Sequence, residues 1–421
     1  MDSSRCFYYP GTLQNGVCFL RIARMWLFLV IACLIQQTEN SEGSVSHLNP
    51  QEFMTIIIFY LQPQIIQYWG YSSEEYEVLT DDGYYLKLNR IISGKHFPHL
   101  TGPKPVVLLV HGLLFEGRCW IANLPSNSLG FFLSDAGYDV WIVNIRGTTW
   151  SRSHQKFSVD QQEFWEFSFH EMAIYDIPAT IAFILQKTKQ NRLYYFGHGQ
   201  GGTLGFIAFS LLPHLAQKVK LFLCFTPAYT LRGITGLPKA LGKIPAGLRK
   251  LIWGKKKYYL LSNRLKAFLA YGCSHAMFDK LCLQGIFFMG GYNAKNLNTS
   301  RADVYVGIFP DFTSVKTLSH WGQVIYSKEF KYFDHGKKNK AIYNRTKPPF
   351  YKIEDVTIPV AVWSGGRDIV ATKKDVELMT SQITHLVFYK NIPDWQHMDP
   401  ILGLDIPQQL YNDIRKLMQK Y

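Results

Sequence analysis

The clearest indication of the fold lies in one segment, Tyr194-Tyr195-Phe196-Gly197-His198-Gly199-Gln200-Gly201-Gly202-Thr203. An apolar, aromatic run meets a turn in which four of the six residues 197–202 are glycine, and an apolar helical pattern follows. This order is typical of a buried strand that turns sharply into a helix, because glycine permits the tight backbone that such a turn requires. Taken alone, the turn is also compatible with phosphate binding or with simple close packing.

The flanking sequence predicts a sheet of buried strands. Short apolar runs occur at 106–110, 140–143, 193–196, 221–225 and 360–363, and helical patterns lie near 124–136, 169–187, 200–212 and 373–381. The turn sequence Asp81-Asp82-Gly83 also predicts a hairpin. Because buried strands alternate with helices, we expect an α/β fold with a mostly parallel central sheet that helices flank on both faces.

The predicted core is interrupted once. The alternation of strands and helices stops after Phe225 and returns only at Ile358. The economical interpretation is an inserted, mostly helical cap at 226–344, with 41–225 and 345–421 as the two parts of the core. Residues 1–40 form a separate N-terminal region, which has an unusual preface and then an apolar run at 25–35 behind two arginines. That run is typical of the hydrophobic region of a secretory signal peptide.

The glycine-rich turn has the architecture of the nucleophile elbow of α/β-hydrolases, Gly-x-Ser-x-Gly. Two further residues follow in the order that this fold uses: Asp368, in a loop after a predicted strand, and His397, before the last predicted helix. Nucleophile, acid and histidine in that order predict a catalytic triad. Upstream, His111-Gly112-Leu113-Leu114 follows a strand where such folds supply a backbone N–H to an oxyanion hole.

Together with several other motifs, these segments resemble the acid lipases of the gastric and lysosomal type, from about Asn49 to the C-terminus. The further matches include Tyr68-Trp69-Gly70-Tyr71, Asn123-Leu124-Pro125-Ser126-Asn127-Ser128-Leu129, Asp135-Ala136-Gly137-Tyr138-Asp139-Val140-Trp141 and Trp363-Ser364-Gly365-Gly366. The resemblance implies an α/β-hydrolase core, a helical cap over the site, and neutral-lipid ester substrates. It also implies a disulfide in the cap between Cys273 and Cys282, Asp368 and His397 as acid and base, and the backbone N–H groups of Leu113 and Gln200 as the oxyanion hole.

The chain departs from the family pattern at the central position of the elbow, where the nucleophilic serine falls on Gly199. Glycine accepts the strained elbow conformation, but it offers no oxygen for an acyl-enzyme. We expect the hydroxyl of Thr203 to point along the helix, and nothing in the sequence directs His198 toward the site. The supporting positions Ile145 and Gly202, and the apolar residues within Phe53–Gln62, also differ from the family pattern.

We therefore predict an acid-lipase-like protein of lipid metabolism that has lost most or all hydrolase activity and binds a neutral lipid or acyl ester. Two alternatives stay open. One is an active carboxylic ester hydrolase that uses water or another nucleophile. The other is a non-enzymatic interaction protein whose basic cap binds an anionic membrane or glycan.

Charge and composition restrict the possible partners. The net charge is +14, and the stretch 226–266 holds ten basic residues and no acidic one. Such a balance favours anionic surfaces, including a membrane or lipid droplet. We predict no nucleic-acid binding, no metal and no cofactor, because the chain lacks zinc-finger spacing, RNA-recognition signatures and a phosphate-binding loop.

Two further features indicate a secretory route, with a secreted or lysosomal destination. Asn298-Thr299-Ser300 and Asn344-Arg345-Thr346 are acceptor sequons for glycosylation at Asn298 and Asn344. Of the seven cysteines, Cys273 and Cys282 enclose a short loop that a disulfide could close in an oxidising compartment.

Overall fold

The central sheet is built from the short apolar runs that the sequence indicates. The computed structural model describes residues 62–94, 102–275 and 277–421, so the predicted signal segment at 25–35 and the apolar residues 53–61 lie outside the described residues. The strands are β1 (Ser72–Leu79), β2 (Tyr84–Ser93), β3 (Val106–Val110), β4 (Asp139–Val143), β5 (Ser153–His154), β6 (Leu193–His198), β7 (Val219–Phe225), β8 (Lys257–Tyr258), β9 (Thr313–Ser314), β10 (Val360–Gly365) and β11 (Leu386–Ile392).

The main sheet has the order β1-β2-β4-β3-β6-β7-β10-β11, and β5 pairs with β2. Pairing is antiparallel from β1 to β4 and parallel from β4 to β11. Every residue of β3, β4 and β6 is buried, as expected for strands with helices on both faces. The strand β6 therefore carries the glycine-rich turn into the middle of the sheet, with β3 and β7 as its neighbours.

The helices flank this sheet and fill the interval between β7 and β10. They are α1 (Gln62–Tyr68), α2 (Leu129–Asp135), α3 (Ile177–Thr188), α4 (Gln200–Leu211), α5 (Pro213–Ala216), α6 (Gly236–Gly242), α7 (Ala246–Trp253), α8 (Asn263–Cys273), α9 (Asp279–Phe287), α10 (Ala302–Ile308), α11 (Val315–Ser327), α12 (Asn339–Tyr343), α13 (Lys373–Thr380), α14 (Asp399–Leu402) and α15 (Asn412–Lys420). Over the parts of the chain that the structure describes, each helix falls short of the length and hydrophobicity needed to cross a bilayer.

The interval between β7 and β10 is mostly helical. It contains α6–α12 and the small antiparallel pair β8–β9. Cys273, at the end of α8, forms a disulfide with Cys282 in α9, and their Cα atoms are 5.9 Å apart. This is the pairing that the resemblance implies. Cys119 and Cys224 are buried free thiols. The limits 226–344 stay our prediction for the cap.

The mostly parallel, helix-flanked sheet confirms the predicted fold class, and the differences are local. The helix predicted near 124–136 begins only at Leu129, because Pro125 opens a separate 3₁₀ turn. A π turn, Met172–Asp176, interrupts the helix predicted at 169–187. The sequence analysis missed β11, whose residues are mostly half-buried at the edge of the sheet and form no continuous apolar run.

Candidate active site

The turn between β6 and α4 is a strained elbow that glycine makes possible. Gly199 has φ +50° and ψ −116°, a conformation that other residues adopt only with strain. Its N–H donates to the carbonyl oxygen of Phe225 on β7 at 3.0 Å, which fixes the turn to the neighbouring strand. A Cβ on Gly201 would lie 2.2 Å from the carbonyl oxygen of Val110, so this helix packs too close to β3 for any side chain there.

Asp368 and His397 meet beside this elbow. Asp368 follows β10 and His397 follows β11, and the carboxyl ends of parallel strands share one edge of the sheet. Nδ1 of His397 lies 2.9 Å from Oδ2 of Asp368. The other oxygen, Oδ1, accepts from the backbone N–H groups of Val370 at 2.7 Å and Ala371 at 2.9 Å. The carboxylate is therefore held rigidly, and it orients the imidazole so that Nδ1 donates.

The free side of the imidazole faces Gly199. A Cβ on Gly199 would lie 3.0 Å from Nε2 of His397 and 3.5 Å from Cε1. With Nδ1–H donated to Asp368, Nε2 presents a lone pair toward the elbow. The structure thus brings together the three predicted triad positions, although the elbow supplies no nucleophile.

The backbone of His397 is tied to three other parts of the fold. Its N–H donates to the carbonyl oxygen of Gly290 at 3.1 Å. Its own carbonyl oxygen accepts from Nε2 of His198 at 2.9 Å and from Oγ1 of Thr226 at 3.3 Å. Nothing in the sequence indicated that His198 faces the site. The structure nevertheless places His198 in the lining of the cavity at the elbow, next to the ring of His397.

His198 stays uncharged at neutral pH. Burial, and next the charge of His397, lower the pKa of His198 to about 3. The neutral ring can then donate from Nε2 to the His397 carbonyl without bringing a positive charge into the site. The position of His198 in the sequence, directly before the central residue of the elbow, was the signal that could have placed it at the edge of the pocket.

The two predicted oxyanion donors also lie at the cavity. Leu113 follows β3, and Gln200 is the first residue of α4, so the N–H of Gln200 has no partner within the helix. The Leu113 turn is held by His111, whose Nε2 accepts from the N–H of Ile145 at 3.1 Å while Nδ1 lies 2.9 Å from the Gly112 oxygen. Burial lowers the pKa of His111 to about 4, which keeps this ring neutral.

The side chain of Gln200 connects the elbow to α11. Its Oε1 accepts from Nε1 of Trp321 at 2.8 Å, and its Nε2 lies 3.5 Å from the sulfur of Met172. Trp321 is a site residue that sequence reasoning missed, because a tryptophan on the apolar face of a helix is usually core. Only the packing of α11 over the elbow reveals this contact.

Two positions that follow the elbow have structural explanations. Oγ1 of Thr203 donates to the carbonyl oxygen of Ala228 at 2.6 Å and lies 3.3 Å from that of Gly199. The Thr203 hydroxyl is thus bonded to the backbone, and Thr203 is not among the lining residues of the cavity. A Cβ on Gly202 would lie 2.2 Å from the sulfur of Cys224, so the buried thiol occupies the space of a larger residue.

An apolar cavity, open to solvent at its mouth, is lined at the elbow by His198, Gln200 and His397. Its other lining residues are Leu113, Leu114, Phe115, Ala228, Leu231, Ile234, Pro238, Leu241, Gly242, Met289, Phe309, Leu318, Trp321, Ile325, Val370 and Met398. A second apolar cavity shares Met289 and Phe309 with it and reaches the disulfide at Cys273 and Cys282. The arrangement suits a long apolar ligand with one polar group at the elbow.

The two glycosylation candidates differ in accessibility. Asn344 is exposed at the end of α12. Asn298 is half-buried, and its Oδ1 accepts from the N–H of Ser300 at 3.2 Å and from the Ser300 hydroxyl at 2.7 Å.

Comparison with known families and proteins agrees with this geometry. Residues 62–124 match the family profile described as a partial alpha/beta-hydrolase lipase region, and residues 105–404 match the profile of the alpha/beta hydrolase fold. The chain is 46% identical over 397 residues to human lysosomal acid lipase/cholesteryl ester hydrolase, which covers 93% of this chain and 98% of that protein.

Two further human relatives extend the comparison. Gastric triacylglycerol lipase is 44% identical over 400 residues, covering 94% of this chain and 99% of the relative. Lipase member M is 43% identical over 399 residues, covering 94% of this chain and 93% of the relative. On this similarity, the chain belongs to the acid lipase family of the α/β-hydrolase superfamily.

Proposed function

We propose that this chain is an acid-lipase-like protein of the secretory pathway that holds a lipid or acyl chain in its cavity and has lost ordinary ester hydrolysis. The observation that carries the proposal is Gly199, which takes the elbow conformation beside Nε2 of His397 but has no hydroxyl. The disulfide between Cys273 and Cys282 supports an oxidising compartment. Two of the relatives are a cholesteryl ester hydrolase and a triacylglycerol lipase, which supports neutral lipid esters as the related substrate class.

The remaining groups bind and polarise a ligand without a nucleophile to attack it. In this proposal Asp368 orients His397, and the N–H groups of Leu113 and Gln200 hold the ester carbonyl oxygen. Loss of the serine in a model hydrolase costs about a million-fold in turnover. An oxyanion hole and substrate positioning alone retain roughly 10³–10⁴ over water. We therefore expect binding with little turnover.

The test is direct. The full chain is secreted from eukaryotic cells, its bound lipids are extracted and identified by mass spectrometry, and its hydrolysis of short-chain nitrophenyl esters and long-chain lipid esters is assayed. We expect a stoichiometric lipid or acyl chain and background hydrolysis. A protein without bound lipid that turns over esters at rates of about 1–10³ s⁻¹, which are usual for enzymes, would contradict the proposal.

One observation favours a second candidate, a slow hydrolase that uses water. Nε2 of His397 faces the place of the missing side chain on Gly199, and in this candidate a water molecule stands in for the absent hydroxyl. The imidazole would take a proton from this water, and the oxygen would attack the ester carbonyl that the N–H groups hold. Turnover that disappears in His397→Ala, and persists in the exposed control His385→Ala, would favour this candidate.

A third candidate rests on the surface of the predicted cap. Large apolar side chains are exposed there at Leu237, Leu248, Leu251, Ile252, Tyr259, Leu265, Tyr271, Met277, Phe278, Leu281 and Phe288. The basic stretch 226–266 lies among them. Exposed apolar groups with basic neighbours suit an anionic lipid surface.

The test of this third candidate is vesicle binding at low and high salt. We compare phosphatidylcholine vesicles with and without phosphatidylserine, because screening weakens attraction between exposed charges. The triple change Lys255→Glu, Lys256→Glu and Lys257→Glu should abolish salt-sensitive binding. The control triple change Lys373→Glu, Lys374→Glu and Lys416→Glu, outside that stretch, should preserve it. Equal binding by both variants would reject this candidate.

A further inference from the structure

We propose that the elbow of this protein is a receptor for the carboxyl group of a free long-chain fatty acid, so that its preferred ligand is the acid rather than an intact ester. The inference rests on the proposed lipid-binding function and names the ligand class of the same cavity. It follows from the missing side chain of Gly199 at one end of the apolar cavity.

Polar groups converge on the space beside Gly199. Nε2 of His397 lies 3.0 Å from the place of the missing Cβ, and Gln200 offers the first N–H of a twelve-residue helix. Leu113 borders the same end of the cavity. A carboxyl group has two oxygens, so one can bind to the N–H groups while the other takes the place of the missing hydroxyl next to Nε2. Because Gly199 has no side chain, no Cβ or hydroxyl competes with the second oxygen there.

The proton distinguishes an acid from an ester. Because Nδ1 of His397 donates to Asp368, the neutral imidazole presents only a lone pair at Nε2. A carboxylic acid brings the proton that this lone pair requires: the O–H proton passes to Nε2, and an imidazolium–carboxylate pair results, with Asp368 on its far side. An ester has no such proton, so it leaves Nε2 without a partner. Charge-assisted hydrogen bonds of this kind are also stronger than neutral ones.

The rest of the cavity supports a single polar end group. Its lining, within the described residues, contains no Asp, Glu, Lys or Arg, so His397 is the group that recognises charge. The neighbouring His198 is neutral, since burial lowers its pKa to about 3. The mostly apolar wall suits an acyl chain. The second cavity borders this one at Met289 and Phe309, so the first cavity alone does not fix the length of the acyl chain.

The test compares oleic acid with methyl oleate, which share one chain and differ in the acidic proton. Isothermal titration of the delipidated full chain, with both ligands below their aggregation concentrations, should show the acid binding about 10- to 100-fold more tightly. Gly199→Ala places a methyl group in the carboxyl space, 3.0 Å from Nε2 of His397, without adding a nucleophile, and His397→Gln removes the proton acceptor. In both variants we expect acid and ester to bind with similar affinity.

Matched controls keep the result interpretable. Gly247→Ser lies on the exposed side of α7, where a Cβ meets no atom within 4 Å, and His385→Gln changes an exposed histidine. Both should keep the full preference for the acid. Thermal unfolding checks each variant, and if His397→Gln does not fold, Gly199→Ala alone carries the comparison.

Three outcomes are distinguishable. A preference for the acid that the two site variants lose supports the inference. Equal binding of acid and ester by the parent protein, or a preference that survives in folded Gly199→Ala, overturns it while the proposed lipid-binding function stands. Binding of neither ligand overturns the inference together with the proposed function.

Discussion

Nε2 of His397 lies 3.0 Å from the point that a Cβ on Gly199 would occupy. This separation is tighter than an ordinary contact between a Cβ and a ring nitrogen, so any side chain at 199 would require the imidazole to withdraw by a few tenths of an ångström. Asp368 and His397 are thus paired beside the elbow, and the imidazole lies close to the space that a side chain at 199 would need.

Gly199→Ser should create measurable esterase activity, because the base, its orienting carboxylate and the proposed oxyanion donors are already present. The gain should be modest: a site misplaced by about 1 Å can lose roughly 100-fold in rate, and His397 must shift. Hydrolysis of nitrophenyl and long-chain esters measures it. Gly199→Ala adds the Cβ without the hydroxyl and should stay at background, as should Gly199→Ser with His397→Ala. A folded serine variant that is inactive on both esters would mean that the missing hydroxyl is not the sole lesion.

Any side chain at position 199 should destabilise the fold. The backbone there has φ +50°, and a residue with a Cβ held in such a conformation loses about 1–3 kcal/mol. Urea unfolding should therefore show similar losses for Gly199→Ser and Gly199→Ala, since both carry the same strain. Exposed Gly247→Ser, where φ is not positive, should change the stability much less. Unchanged stability in both elbow variants would mean that the turn relaxes.

Removal of the disulfide should loosen α8 and α9. The bond closes a loop with a sequence separation of 9 residues, and bridges of this size stabilise by about 2–3 kcal/mol. In the variant Cys273→Ser with Cys282→Ser, hydrogen exchange should accelerate in these helices while β6 and β7 keep their protection. Non-reducing peptide mapping of the secreted parent should find these two cysteines linked and Cys119 and Cys224 unpaired. Alkylation of all four would contradict the pairing and the oxidising compartment.

Asp303→Asn should stabilise the protein at neutral pH but not at acidic pH. Burial raises the pKa of Asp303 from about 3.8 to about 6, against the opposing effects of nearby backbone N–H groups and Arg301. A raised carboxyl pKa favours folding below the unfolded value, and this contribution is lost as the pH rises through about 6. The advantage of the asparagine variant, on the order of 2 kcal/mol at pH 7, should therefore shrink toward pH 4.

Urea unfolding of parent and variant at each pH measures this difference. Comparison at the same pH is needed because the buried His111 and His198 act in the opposite sense: their lowered pKa values reduce stability as the pH falls below about 6.5. Asp355→Asn, at an exposed carboxyl, is the matched control and should show no such pH dependence. A pH-independent effect of Asp303→Asn would contradict the prediction.

Asn344 should be glycosylated more completely than Asn298 in secreted protein. Asn344 is exposed, whereas Asn298 is half-buried and bonded to Ser300. Enzymatic deglycosylation with intact-mass analysis should show that Thr346→Ala, which removes the sequon but keeps Asn344, eliminates the main glycan. Ser300→Ala should eliminate the minor one. Full occupancy of Asn298 with an unmodified Asn344 would reverse this order.

The local sequence pattern was sufficient to predict the strands that carry the candidate site. The apolar runs at 106–110 and 360–363 became strands within two residues of their predicted ends, because a strand buried on both faces must be continuously apolar. The edge strand β11 was missed since its half-buried residues carry no such constraint. His198 and Trp321 were missed as site residues, because their roles depend on which side of a turn or helix faces a partner distant in sequence.

The sequence by itself determined the strand–turn–helix elbow, the order of Gly199, Asp368 and His397, and the absence of a hydroxyl at the centre of the elbow, since each depends on residue identity and local spacing. Only the tertiary structure decided how near Nε2 of His397 comes to Gly199, how Gln200 is joined to Trp321, and that the lining of the cavity, over the described residues, is free of Asp, Glu, Lys and Arg. These properties arise where β6, β10 and β11 end beside α11, and segments separated by up to about two hundred residues meet there through packing that no local pattern encodes.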